Sequence, residues 1–139
     1  MPMKVPSVRV VAICDEAIPS EDESEIFTLA NTRFYAVAES FPHVQTLNVY
    51  LLLFCDQPGN YAGSVQVVRQ SDERVIRHVH FRASFDGSWE FVAKRVEIEW
   101  CIFTEPGFHR LHVKFMDAEL DEHTRADSQI TLFQGEEEG

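Results

Sequence analysis

Apolar and polar residues alternate with a period of two along most of this chain. On a β-strand, side chains i and i+2 share a face. The alternation therefore predicts strands with one buried and one wet face. "VRVVAICD" (Val8 to Asp15) is such a run, rich in β-branched residues. "TLNVYLLLFC" (Thr46 to Cys55) is apolar on both faces beyond Asn48, with Leu47, Val49, Leu51 and Leu53 on one side and Tyr50, Leu52 and Phe54 on the other. That predicts a central strand, covered on both sides or docked on one side against a partner. "GSVQVVRQ" (Gly63 to Gln70), "RLHVKFM" (Arg110 to Met116) and "QITLFQ" (Gln129 to Gln134) read as further strands. "IFTLANTRFYAVAES" (Ile26 to Ser40) reads as strand with an irregularity at Asn31, because Phe, Tyr, Thr and Val outweigh its Ala and Leu.

Two strands have assignable faces. In "VIRHVHFRASF", Val75, Val79, Phe81 and Phe85 face inward, opposite Ile76, His78, His80 and Arg82. In "FVAKRVEIEWCIF", Val96, Ile98, Trp100 and Ile102 face inward, opposite Glu97, Glu99 and Cys101. "LDEHTRADS" (Leu120 to Ser128) reads as a polar connection with room for a short helical turn, "AIPSEDESE" (residues 17–25) as an acidic loop, and residues 135–139 as a disordered acidic tail. About eight strands with little helix predict one all-β domain over residues 1–139, an antiparallel β-sandwich, with a β-barrel as the alternative.

Two junctions use the same turn chemistry. "LFCDQPGNYAGSV" and "IFTEPGFHRLHV" each leave a strand through Pro-Gly and re-enter one, with Tyr61 and His109 two residues past the glycine. Proline sets φ near −65° and glycine supplies φ > 0, so both read as type II turns. The Gly-x-Tyr and Gly-x-His entries resemble the late strand of immunoglobulin-like sandwiches, where a tyrosine bonds back to the preceding corner. The resemblance implies that His109 takes that tyrosine's place. No Trp lies between Cys14 and Cys55, so the antibody-type pin is missing. More narrowly, "VAICDEAI", "FTLANTRF", "LNVYLLL", "QPGNY" and "FTEPGFHRLHV" resemble an uncharacterised family of small bacterial all-β proteins. That resemblance implies a bacterial, immunoglobulin-like sandwich and carries no catalytic residue.

Charge narrows the function. The formal net charge is −11, which predicts neither a nucleic-acid nor an anionic-membrane partner, since phosphate recognition needs a basic stripe. The three cysteines are widely spaced and form no Cys-x-x-Cys, and the N-terminus lacks a long apolar run, which together predict a reducing cytoplasm. No G-x-S-x-G, P-loop, G-x-G-x-x-G or H-E-x-x-H occurs, so no enzyme class is indicated.

Two candidate surfaces remain. His78 and His80 share a strand face and, with His112 from a neighbouring strand, could ligate a divalent transition metal. Against this, no carboxylate follows before Asp86, and Arg77 and Arg82 flank the pair. With those arginines the stretch reads equally as a basic docking strip on an acidic chain. The second surface is the outward side of the two-faced strand, Tyr50, Leu52 and Phe54. Phe27, Phe54, Phe81, Phe85, Phe91, Trp100, Phe103 and Phe115 fill one core, while Phe34, Tyr35, Phe41, Tyr50, Trp89 and Phe108 are too many to bury together. The expectation is a non-enzymatic interaction module, without cofactor, that presents a sheet face or edge to a protein partner or to a second copy. The alternatives are the metal site and a carrier of a small apolar ligand held between the sheets.

Overall fold

Nine strands form two facing sheets in the computed structural model, which describes residues 5–19, 27–33, 35–87, 90–117 and 122–135. Strands β1 (Ser7–Pro19), β2 (Phe27–Arg33), β4 (His43–Cys55) and β7 (Glu90–Phe103) make a four-stranded sheet. Strands β3 (Tyr35–Ala38), β5 (Gly59–Arg69), β6 (Arg74–Phe85), β8 (Gly107–Met116) and β9 (Glu122–Gln134) make a five-stranded one. The orders are β2-β1-β4-β7 and β3-β9-β8-β5-β6. The architecture is the expected sandwich, with two separate sheets instead of a closed barrel.

Three expectations about elements are corrected. "IFTLANTRFYAVAES" splits into two strands: β2 stays beside β1, and β3 joins the other sheet, where it runs parallel to β9. This accounts for the ninth strand and for a pairing that is not antiparallel. Residues 122–128, read as a polar connection, belong to β9 and pair with β8. Exposure of this half-strand explains its polar composition, while the ladder to β8 satisfies its backbone whatever the side chains prefer. Residues 17–19, assigned to the acidic loop, are still paired with β2 as part of β1; the rest of that loop and residues 136–139 of the acidic tail lie outside the described residues, while Gly135 N–H donates to the carbonyl of Ala38 at 2.8 Å.

The inner faces of the central strands form the core. Leu47, Val49, Leu51 and Leu53 of β4 pack with Val65 and Val67 of β5 and Leu111, Val113 and Phe115 of β8, all essentially without solvent contact. Each such side chain contributes about 1.5–3 kcal/mol through burial. Aromatic rings fill the space between: Phe81 meets Phe115 edge-on at 5.5 Å and Tyr61 meets Phe85 at 5.8 Å. Gly63 pairs across from Phe81, and a Cβ there would lie 2.5 Å from the ring, so glycine lets the ring rest on its strand.

Two bulges shift the side-chain phase. Between Gln45↔Cys101 and Leu47↔Ile98, β4 advances by two residues and β7 by three, so β7 carries an extra residue at Trp100, whose φ is 56°. Beyond the bulge every side chain changes face. Cys101 and Phe103 are therefore fully buried, and Trp100 and Ile102, expected inside, are exposed. Burial pushes the Cys101 thiol up to about 12, which leaves it a small apolar filler. Between Val67↔Arg77 and Val68↔Val75, β6 carries an extra residue. As a result Ile76 packs against the core and Val75 points out. Phe91 is likewise half exposed on the outer face, and the side chain of Phe27 is not among those described.

Both Pro-Gly corners have the expected positive glycine φ, 150° at Gly59 and 114° at Gly107, wider than the type II value of about +80°. Tyr61 donates its hydroxyl hydrogen to the carbonyl of Gln57 at 3.3 Å, a bond back to the corner. At the second corner His109 is fully buried, edge-on to Phe103 at 4.9 Å, with Nδ1 3.1 Å from the carbonyl of Gly107. Nδ1–H donates there, and Nε2 has no partner among the described residues. Burial holds the His109 pKa below the usual imidazole value, only partly opposed by the Gly107 bond and Glu105.

The sign of the resulting pH dependence is fixed. Below about pH 6.5 the unfolded chain protonates this histidine and the native chain resists. Stability should fall as pH drops from 7 to 5, and His109→Phe, which keeps a ring against Phe103, should flatten that slope in chemical denaturation. An unchanged slope would show that His109 is not what resists the proton.

Candidate functional site

The histidine pair sits where the strand alternation puts it. On the outer face of the five-stranded sheet, one cross-strand row runs His78, Gln66, His112, Asp127, and the next runs His80, Ser64, Lys114. The rings of His78 and His80 lie 4.4 Å apart. Burial, and then the neighbouring His80, hold the His78 pKa below its ordinary value, with Glu122 opposing. His112 is not brought to the pair: Gln66 stands between it and His78, and its Nδ1 is held by Asp127. Two strand spacings separate the two histidines, about 10 Å, whereas ligands of one ion must converge to about 2 Å from it. Among the described residues no group of three or more His, Cys, Asp or Glu side chains is gathered as a metal requires.

The other expected contact residues divide. Arg82 is exposed on the same face as His80. Arg77 is not: it pairs with the buried Val67, points inward at the open edge of the sheet, and donates from Nε to the carbonyl of Glu99 on β7 at 2.9 Å. Tyr50, Leu52 and Phe54 do face outward on β4 and are half-buried. Phe54 is covered by the protein's own groups, with the Phe91 ring at 4.9 Å and the Arg9 guanidinium at 5.1 Å over it.

The exposed apolar surface lies elsewhere. Of eleven exposed large apolar side chains among the described residues, eight surround one end of the sandwich. The four-stranded sheet supplies Val44, Trp100 and Ile102, the first and last directly cross-strand from each other. The five-stranded sheet supplies Tyr35, Val37, Val75, Phe108 and Phe133, with Tyr35 and Phe133 edge-on at 6.0 Å. A depression of about 340 Å³ touches both Val37 and Val44 and joins the two groups around the end. Tyr35 and Phe108, two of the aromatics in excess of the core, share one outward row through Thr131. Phe41 instead packs against the core, and Phe34 and Trp89 lie outside the described residues.

The tip inside this apolar band is polar and braced. Arg69 binds Asp72 through two hydrogen bonds, 2.9 and 2.6 Å, and also contacts Thr104 and Glu105 of the neighbouring corner. The hydrogen bond from Arg69 draws the Asp72 pKa down to about 2. Gln70 N–H donates to the carbonyl of Phe108 at 3.1 Å, tying the same two loops.

Trp100 stands out within the band. It is 71% exposed, the most exposed large apolar side chain among those described, and it holds a left-handed φ. For a bulky L-residue that conformation costs about 1–2 kcal/mol, and such strain gathers at sites that bind or switch. Strict alternation hid it. The run "WCIF", four apolar residues with no polar partner between them, is the signal in the sequence that the phase breaks there.

No family model matches the chain, and no curated protein matches it. Among solved structures, a Niemann-Pick type C2 protein from the Japanese carpenter ant is similar at 13% identity and TM-score 0.46, over 94% of each chain. A family 123 glycoside hydrolase from Clostridium perfringens is similar at 12% identity and TM-score 0.41, over 90% of this chain. The chain spans 28% of that hydrolase. Neither likeness assigns an activity to this chain.

Replacing Trp100 by glycine removes the strained φ while sacrificing little burial. Thermal unfolding of Trp100→Gly should show a midpoint equal to or above that of the parent, although glycine costs about 0.5–1 kcal/mol of backbone entropy. A fall of the size that follows loss of a core ring, about 3–5 kcal/mol, would mean that Trp100 is structural.

Proposed function

We propose that this chain is a non-enzymatic protein-interaction module that docks through the apolar end of its sandwich, with Trp100 as the anchor. The observation that carries this reading is the exposed indole on a strained bulge, set in a band of seven further exposed apolar side chains. Burying such a ring against a partner removes about 150–250 Å² from water, and tryptophan is the residue type most often found to dominate binding energy. The braced tip supports the reading, because a surface that is already ordered loses little conformational entropy on docking. The acidic exterior keeps the module soluble and favours partners with complementary charge.

A photo-crosslinking residue at position 133, inside the band, should give a discrete protein adduct in cells that express the chain. The same residue at position 82, at the far end of the same sheet, should give none. The adduct should vanish when Trp100→Ala is added. Equal adducts from both positions, or none from position 133, would remove the apolar end as the docking surface.

A further inference from the structure

The partner this surface fits best is another copy of the chain. This inference rests on the reading that the apolar end docks a protein. The knob is Trp100, and the exposed Glu97 and Glu99 precede it on β7, neither paired with a cation among the described residues. The matching hole lies on the outer face of the opposite sheet. It is a depression of about 440 Å³ lined in part by Val68, Val75, Glu73, Arg110, His112 and Lys114, within the usual 300–1,000 Å³ of a ligand pocket. Val68 and Val75 are cross-strand neighbours and supply an apolar wall. Arg110 is exposed and has no carboxylate partner among the described residues, while Lys114 is only loosely held by Glu122 at 3.8 Å.

We infer that Trp100 of one copy seats in the Val68–Val75–Arg110 depression of the next, with Glu97 and Glu99 meeting Arg110 and Lys114. The charges are complementary in the sense the contact needs: acids beside the knob, cations beside the hole, on a chain whose net charge of −11 otherwise opposes self-association. Glu73 is the one acid among the lining residues and stands in the turn between β5 and β6, while Asp127 and Glu122 adjoin the lining His112 and Lys114. Knob and hole lie on opposite faces of the sandwich, so one contact cannot satisfy both. The association is heterologous, sheet upon sheet, and adds copies head to tail until a ring closes or the chain ends. Because exposed charges flank the contact, added salt weakens it.

Sedimentation velocity on three proteins tests this. The wild-type chain should form concentration-dependent species larger than a dimer. Trp100→Ala, which keeps the hole, and Val75→Glu/Arg110→Glu, which keeps the knob, should each be monomeric, with association weakened at least about 30-fold, the threshold of a hot-spot residue. Their equimolar mixture should give a one-to-one dimer and nothing larger, because one good knob meets one good hole. If the double variant is unfolded by circular dichroism, Arg110→Glu alone takes its place. Association in the wild type without the mixed dimer would overturn the knob-in-hole contact. A wild type that stays monomeric at hundreds of micromolar would overturn the second copy as partner, while an adduct to a different protein from position 133 would leave the interaction module standing.

Discussion

The guanidinium of Arg77 reaches across the open side of the sandwich to the carbonyl of Glu99, 2.9 Å away, and the extra residue of β7 follows that carbonyl. The bond joins the edge strands of two different sheets. A hydrogen bond from a charged donor is worth about 1.5–3 kcal/mol, comparable with the cost of a left-handed φ at a bulky residue. The bond therefore helps to hold the bulge at which the side-chain phase of β7 changes. With it, Cys101 and Phe103 close the core and Trp100 and Ile102 face the solvent. Without the extra residue, the indole would point between the sheets, where Phe103 already meets His109.

The same device recurs. At the bulge in β1 the extra residue is Arg9, which lies over Phe54; at the bulge in β9 it is Arg125, whose Nε donates to the carbonyl of Pro6 at 3.1 Å. Long cationic side chains tie irregular backbone to a neighbouring element. Arg77 also serves the edge of its sheet, because an inward-pointing charge there discourages pairing with a stray strand.

What was legible in the sequence was whatever obeys strict alternation. The inner face of β4, Leu47 to Leu53, is the clearest case, and the Pro-Gly corners with Tyr61 and His109 follow from turn chemistry alone. The histidine pair also landed on the wet face that its spacing indicates. What alternation could not show was where it changes phase. Three of the wrong faces, at Trp100, Cys101 and Ile102, trace to one inserted residue, and two more, at Val75 and Ile76, trace to another. Hence the exposed tryptophan of the proposed docking end was hidden inside a strand that reads as ordinary core. Tyr35 and Phe108 were foreseeable as surplus aromatics, but their meeting in one row depends on β3 crossing to the second sheet, which no local pattern encodes.

The central claim is that Trp100 is presented to solvent in the free chain and covered on association. Acrylamide quenching of fluorescence in a Trp89→Phe variant, which leaves Trp100 as the sole indole of the two in the sequence, reads this directly. The account predicts red-shifted emission and strong quenching in dilute solution, both diminishing as the concentration rises. Blue-shifted emission that resists quenching at every concentration would contradict it, because the indole would then belong to the core.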